Sequence, residues 1–306
     1  MARGQERPAM RGAQFVDPKA LARIHNLELL ARSVVDGFIN GLHRAPYLGF
    51  SLDFAEHRGY EPGDDLRRVD WRLFARTDRY YVKQFEADSN ANCVVALDVS
   101  NSMRFGSRGV TKLDYGRYLA ASLLYLSSTQ RDRVGLVTFD TDVIEYVPPS
   151  AKHLEFALYA LDRIGERGPG SLAAPLLKVT DCLKRRGIVA VISDLYDEPE
   201  AVAKAITPLK FRGHDVVVFH VLDPAEIDFP YDEAASFGDL ESGERMPIVP
   251  DSVREQYRAL VQAHIDALSQ RFTDNHIDYA LFRTSVPLDY ALFKYLSLRE
   301  RLSRVR

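Results

Sequence analysis

Cys93-Val94-Val95-Ala96-Leu97-Asp98-Val99-Ser100-Asn101-Ser102-Met103 is an apolar run that ends in one carboxylate and two hydroxyls. A run this short, free of polar residues and stopped by turn formers, predicts a strand buried on both faces of a sheet. Ile188-Val189-Ala190-Val191-Ile192 repeats the pattern and ends in Ser193-Asp194. Parallel strands present their C-terminal ends side by side, and ligands of open α/β sheets bind outside those ends where strand order reverses. If the two strands flank that reversal, Asp98 and Asp194 face one crevice. Oxygen-only ligands suit a hard cation such as Mg²⁺, with Mn²⁺ or Ca²⁺ as alternatives, better than zinc.

Outward from this core, strands alternate with helices. Thr111-Lys112-Leu113-Asp114 has the form of a capping box, and the helix behind it carries Leu113, Gly116, Ala120, Leu123 and Ser127 on one face. A strand at Val134 to Phe139 has an antiparallel neighbour at Val143 to Val147, and a helix follows from about Ala151 to Ile164. Gly168-Pro169-Gly170-Ser171 breaks the chain before a helix from Leu172 to Arg186, with Ser171 as its N-cap or as a ligand and Gly187 as its terminator. Asp197 is expected to cap the next helix, Val216 to Leu222 forms a core strand, and residues 229–249 read as an inserted hairpin. Ser252-Val253-Arg254-Glu255 opens a long helix to about Thr273. A last strand over Asp278 to Phe282 and a last helix over Leu288 to Leu302 complete the chain. This order implies right-handed crossovers and an α/β fold: a doubly wound, mostly parallel sheet with helices on both faces.

Before this domain, which the sequence assigns to 91–306, lies an N-terminal helix plus a β-rich extension over 15–90. Asp17-Pro18 starts a helix whose apolar residues Leu21, Ile24, Leu27, Leu30, Val34 and Phe38 share one face as far as Gly41. Strand-like pieces at Phe50 to Phe54, Val69 to Phe74 and Tyr80 to Phe85 follow, amid dense charge and the packing anchor Trp71.

The 306 residues carry a formal charge of -3 without a basic stripe, which argues against nucleic-acid binding. No apolar segment approaches the roughly twenty residues of a membrane helix, so direct membrane insertion is not expected. Residues 1–14 are Arg- and Gly-rich without the apolar centre of a secretory signal and read as a disordered tail. A cytoplasmic location follows, with Cys93 and Cys182 as buried free thiols of a reducing compartment. The histidines show no metal spacing, and Met103 reads as core.

Asp98-x-Ser100-x-Ser102, Gly170-Ser171 and the strand-terminal Asp194 resemble the metal-ion-dependent adhesion site (MIDAS) of von Willebrand factor A domains. That resemblance implies Asp98, Ser100, Ser102, Ser171 and Asp194 as metal ligands, completed by water and by an acidic docking residue from a partner. Here Ser171 is followed directly by Leu172, where the pattern usually has Thr and often Asp, so the loop is one residue shorter. The stretch from Phe54 to Trp71, with Glu61-Pro62-Gly63-Asp64-Asp65-Leu66-Arg67-Arg68-Val69-Asp70 at its centre, resembles the signature of the bacterial domain of unknown function 58 family. The family resemblance implies a von Willebrand factor A-like domain and a MoxR-type AAA+ ATPase as partner. The function expected is a non-catalytic, cation-dependent interaction module acting as adaptor in complex assembly or maturation. The alternative is a Mg²⁺-dependent phosphatase with Asp98 as nucleophile, although Ser100 stands where the haloacid dehalogenase pattern has a second Asp.

Overall fold

In the computed structural model the described residues are 18–44 (without 25), 57–59, 74, 76, 77, 79–83, 91–165, 170–240 and 243–303. The expected tail, the strand-like piece at 50–54, most of that at 69–74 and Trp71 lie outside them. A single helical turn, α1 (Pro18–Leu21), comes first, followed by an 18-residue helix, α2 (Leu27–Arg44). The expected continuous helix is broken because Asn26 caps a new start: its Oδ1 accepts a hydrogen bond from Leu29 N at 2.9 Å. The apolar period carries on across the break, and Leu21, Leu27, Leu30, Val34 and Phe38 are all buried. Next, β1 (His57–Gly59) pairs antiparallel with β2 (Tyr81–Lys83).

The remaining elements are the six strands of the sheet that positions the site, the helices that flank it and a separate two-stranded hairpin. In chain order they are β3 (Asn92–Asp98), α3 (Lys112–Thr129), β4 (Arg133–Phe139), β5 (Val143–Ser150), α4 (Leu154–Asp162), α5 (Ala173–Cys182) and β6 (Gly187–Ser193). They continue with α6 (Pro199–Phe211), β7 (Asp215–Leu222), α7 (Pro224–Asp228), β8 (Ala235–Gly238), β9 (Arg245–Ile248), α8 (Pro250–Asp274), β10 (Asp278–Arg283) and α9 (Leu288–Ser303). The six-stranded sheet runs β10-β7-β6-β3-β4-β5, parallel except for β5. From β3 the chain moves to β4 on one side and later returns to β6 on the other, so strand order reverses between β3 and β6.

Side-chain alternation fills two layers. Cys93, Val95 and Leu97 point with Ile188, Ala190 and Ile192 into a core closed by α2, α3, α4 and α9. Val94 and Ala96 join Val189 and Val191 in a core closed by α5, α6 and α8. Both faces of β3 are thus dry, as its unbroken apolar run requires. At Gly187 the strands approach so closely that a Cβ would lie 2.3 Å from the Asn92 carbonyl oxygen. Gly187 therefore opens β6 rather than ending a helix, and α5 stops at Cys182.

Three expected caps move. Helix α8 begins at Pro250, ahead of the proposed box at Ser252, whose hydroxyl instead donates to the Val249 carbonyl at 2.8 Å. Helix α5 takes Leu172 as its N-cap, not Ser171. Asp197 does not cap α6; its Oδ2 accepts from Leu172 N at 2.9 Å and so holds the start of α5. The box at Thr111 forms: Thr111 Oγ1 accepts from Asp114 N at 3.0 Å and Asp114 Oδ2 from Thr111 N at 3.3 Å. The hairpin of β8 and β9 falls within 229–249. Cys93 is buried and Cys182 only partly so, and both are free thiols. No described helix is long and apolar enough to cross a membrane.

Candidate functional site at the strand-order reversal

Asp98 ends β3 and Asp194 follows the last residue of β6, and these strands are hydrogen-bonded in register from Asn92–Gly187 to Leu97–Ile192. The two carboxylates consequently share the crevice at the reversal. Asp98 is 5% exposed; its Oδ1 accepts from Ser100 N at 2.9 Å and its Oδ2 from Ser193 Oγ at 2.7 Å. Burial first, and then the neighbouring Asp194 charge, push its carboxyl up to about 7 against hydrogen bonds that favour the ionised form. Such a carboxylate is short of positive charge. Ser100 is buried, Ser102 is half-buried at the mouth, and their hydroxyl oxygens lie 3.1 Å apart.

Asp194 is engaged elsewhere. Lys112, at the first turn of α3, is fully buried and puts its ammonium 2.8 Å from Asp194 Oδ2 and 2.6 Å from Glu226 Oε1. The Tyr196 ring covers the same ammonium, 4.6 Å from Nζ to the ring centre. Burial pulls the lysine pKa down, but Asp194 and Glu226 outweigh it and leave the group above its ordinary value, hence charged. A turn aims these groups: Leu195 adopts φ 52°, in the left-handed region that few non-glycine residues enter. Ser193 Oγ accepts from Leu195 N at 3.0 Å, and His264 Nε2 donates to the Leu195 carbonyl at 2.9 Å. Glu226 is delivered by a capping box at the start of α7, where Asp223 is the N-cap.

Ser171 comes to the same edge by its backbone, donating from N to the Asp140 carbonyl at 3.2 Å. Its hydroxyl makes no hydrogen bond to the Asp98 cluster among the described residues. The structure therefore brings together Asp98, Ser100 and Ser102, sets Asp194 against them but on a lysine, and leaves Ser171 as a backbone contact.

The donor set can be tested against a hard divalent ion. Octahedral ligands at about 2.0–2.1 Å lie about 2.9 Å from their neighbours, close to the 3.1 Å between Ser100 Oγ and Ser102 Oγ. Asp98 accepts from Ser100 N and Ser193 Oγ and is also hydrogen-bonded by the Ser100 side chain, whose hydroxyl is a rotor that can turn its proton elsewhere and offer its oxygen to an ion. Among the described residues, no three His, Cys, Asp or Glu side chains form a metal-ready group. Asp98, Ser100 and Ser102 thus fit such an ion with a single protein carboxylate, while Asp194 as oriented does not join them.

Sequence reading missed Lys112, Ser193, Tyr196 and Glu226. One signal was available for Lys112, because a cation in the first turn of a helix opposes the helix dipole and needs a carboxylate partner. The Asp223-Pro224-Ala225-Glu226 box behind an apolar strand marked where one partner would come from.

Among known proteins, the uncharacterized protein Rv1480 of Mycobacterium tuberculosis is 29% identical over 264 residues, covering 84% of this chain and 82% of that protein. An aerotolerance-related membrane protein from Bacteroides fragilis superposes with a TM-score of 0.50 at 16% identity, over 69% of this chain and 99% of that one, a likeness of fold alone. The SpRpn10 VWA domain matches with a TM-score of 0.41 at 13% identity, over 66% of this chain and 93% of that one. The family model described as protein of unknown function DUF58 matches residues 56–267, well over half of the sequence, and the chain belongs to that family.

Proposed function

We propose that this chain is a non-catalytic interaction module that docks an acidic side chain of a protein partner at the C-terminal edge of its sheet. A divalent cation, Mg²⁺ with Mn²⁺ or Ca²⁺ as alternatives, is held by Asp98, Ser100 and Ser102 and supplies the charge that a partner carboxylate meets. Asp98 contributes the charge, the two hydroxyls contribute neutral oxygens, and Ser193 orients Asp98 from the neighbouring strand. The partner proposed is a MoxR-type AAA+ ATPase, served as an adaptor in complex assembly or maturation. The observation that carries this reading is the meeting of Asp98, Ser100 and Ser102 at the reversal of strand order, with Ser102 at its mouth.

The phosphatase reading has less support. Ser100 stands where the haloacid dehalogenase pattern has a second aspartate, so Asp98 has no neighbouring carboxyl in that position to serve as general acid. The nearby lysine is taken up by two other carboxylates. Capture of a cognate MoxR-type ATPase by the immobilised chain, in Mg²⁺ and in EDTA, tests the proposal. Binding should fall at least tenfold in EDTA and in Asp98→Ala; equal binding under all three conditions overturns the cation mechanism.

A further inference from the structure

We infer that Lys112 governs how tightly the crevice holds its cation, by keeping Asp194 and Glu226 as its own counter-charges. The inference rests on the cation reading above and adds a residue that the adhesion-site pattern does not contain.

The geometry closes the lysine off. Its ammonium has three N–H groups; two go to Asp194 and Glu226, and the Tyr196 ring faces the same centre. The side chain is 0% exposed, so it has no path to solvent and none to an incoming partner carboxylate. Lys112 is therefore an internal tie rather than a docking group. It arrives from the helix that follows the Asp98 loop, Asp194 from the residue after β6, and Glu226 from α7, which follows β7. Three elements thus converge on one buried charge.

The consequence concerns charge on the bound ion. With Asp194 tied, a divalent cation on Asp98, Ser100 and Ser102 meets one protein carboxylate and keeps a surplus positive charge. Such an ion binds the free chain weakly and binds well once a partner carboxylate completes it. Cation and partner then strengthen one another by the same factor, as linkage demands. Releasing Asp194 would supply the second carboxylate from within, giving a tight ion that no longer depends on a partner.

Mn²⁺ titration of the full chain, followed by electron paramagnetic resonance of the free ion, tests this without any partner or activity. Two double variants keep the net charge of the cluster unchanged and also avoid leaving two bare buried carboxylates. Lys112→Met with Glu226→Gln frees Asp194; Lys112→Met with Asp194→Asn does not. The first should bind Mn²⁺ at least tenfold more tightly than the wild type, and the second should stay within about threefold of it. Circular dichroism establishes that both are folded before comparison. Equal affinity in the two variants overturns the role of Lys112, and the cation reading survives that result if Asp98→Ala abolishes wild-type binding. Absence of Mn²⁺ binding in every form overturns both.

Discussion

Replacing Lys112 by methionine removes one charge and little volume, since the unbranched apolar side chain follows the course of the lysine stem. The packing of the stem is kept, and what is lost is the ammonium between Asp194 and Glu226, at 2.8 and 2.6 Å. Asp194 and Glu226 side chains are 3% and 13% exposed, so water does not readily take the place of the missing charge. Breaking a buried pair from one side costs about 3–5 kcal/mol, because the partner charge stays in a poor solvent. Loss of the Tyr196 contact adds up to about 2 kcal/mol at a desolvated site. For a chain of this size the expected fall in Tm is on the order of 10 °C. Urea unfolding followed by far-ultraviolet circular dichroism measures the loss. The triple change Lys112→Met, Asp194→Asn, Glu226→Gln should recover more than half of it, since no ionised group is then stranded. A single variant within 1 kcal/mol of the wild type, or a triple variant no better than the single, would refute the view of Lys112 as the counter-charge of the crevice.

Two further predictions follow from the same edge. Asp98 sits at about 7 when folded against 3.8 as a free side chain, so the folded state holds the extra proton and gains stability as pH falls from 7 towards 4. His220 is fully buried, and burial first, then His264, lower it to about 3 from 6.5, so stability is lost as pH falls below 6.5. The two arms oppose each other, and Asp98→Asn should lose stability relative to the wild type on acidification from pH 7 to 4.5; parallel urea midpoints across that range would sink the assignment. Asp223 is 0% exposed and accepts hydrogen bonds from Ser107, Ala225 and Thr284, so Asp223→Ala strands the buried donors of Ala225 and Thr284 and releases the exposed Ser107. That variant should be destabilised by roughly 3 kcal/mol and cleaved faster by protease in the loop around Ser107, and wild-type cleavage rates would count against it.

Much of the sheet could be read from the chain because β3 and β6 are buried on both faces and so carry no polar interruption until their ends. The capping box at Thr111 was legible for a similar reason, as all its partners lie within four residues. Asn26 escaped because the 3.6-residue period runs unbroken across the turn between α1 and α2, and periodicity alone reports burial, not hydrogen bonding. Ser252 misled because a proline two residues earlier already supplied a helix start. Lys112 was hardest to see: its partners lie 82 and 114 residues away and meet it only once β6 and β7 are in register.

The crevice shows why an apolar strand ending in aspartate does not by itself declare a ligand. Asp98, Asp194 and Asp223 stand at or just past the ends of three parallel strands in one sheet, each almost fully buried. What reaches each carboxylate decides its part. Asp98 receives only backbone and hydroxyl donors, which leave its negative charge unbalanced. Asp194 receives an ammonium, which it shares with Glu226. Asp223 receives a helix start, a serine from the loop after β3 and a threonine following β10, and becomes a structural tie. A cation therefore has one place on this edge where it would relieve a charge rather than compete with an existing partner. Under the cation reading proposed above, the same distribution would leave the bound ion incomplete on its own, since Asp194 is already tied to Lys112, and such an ion would call for a carboxylate from an acidic partner.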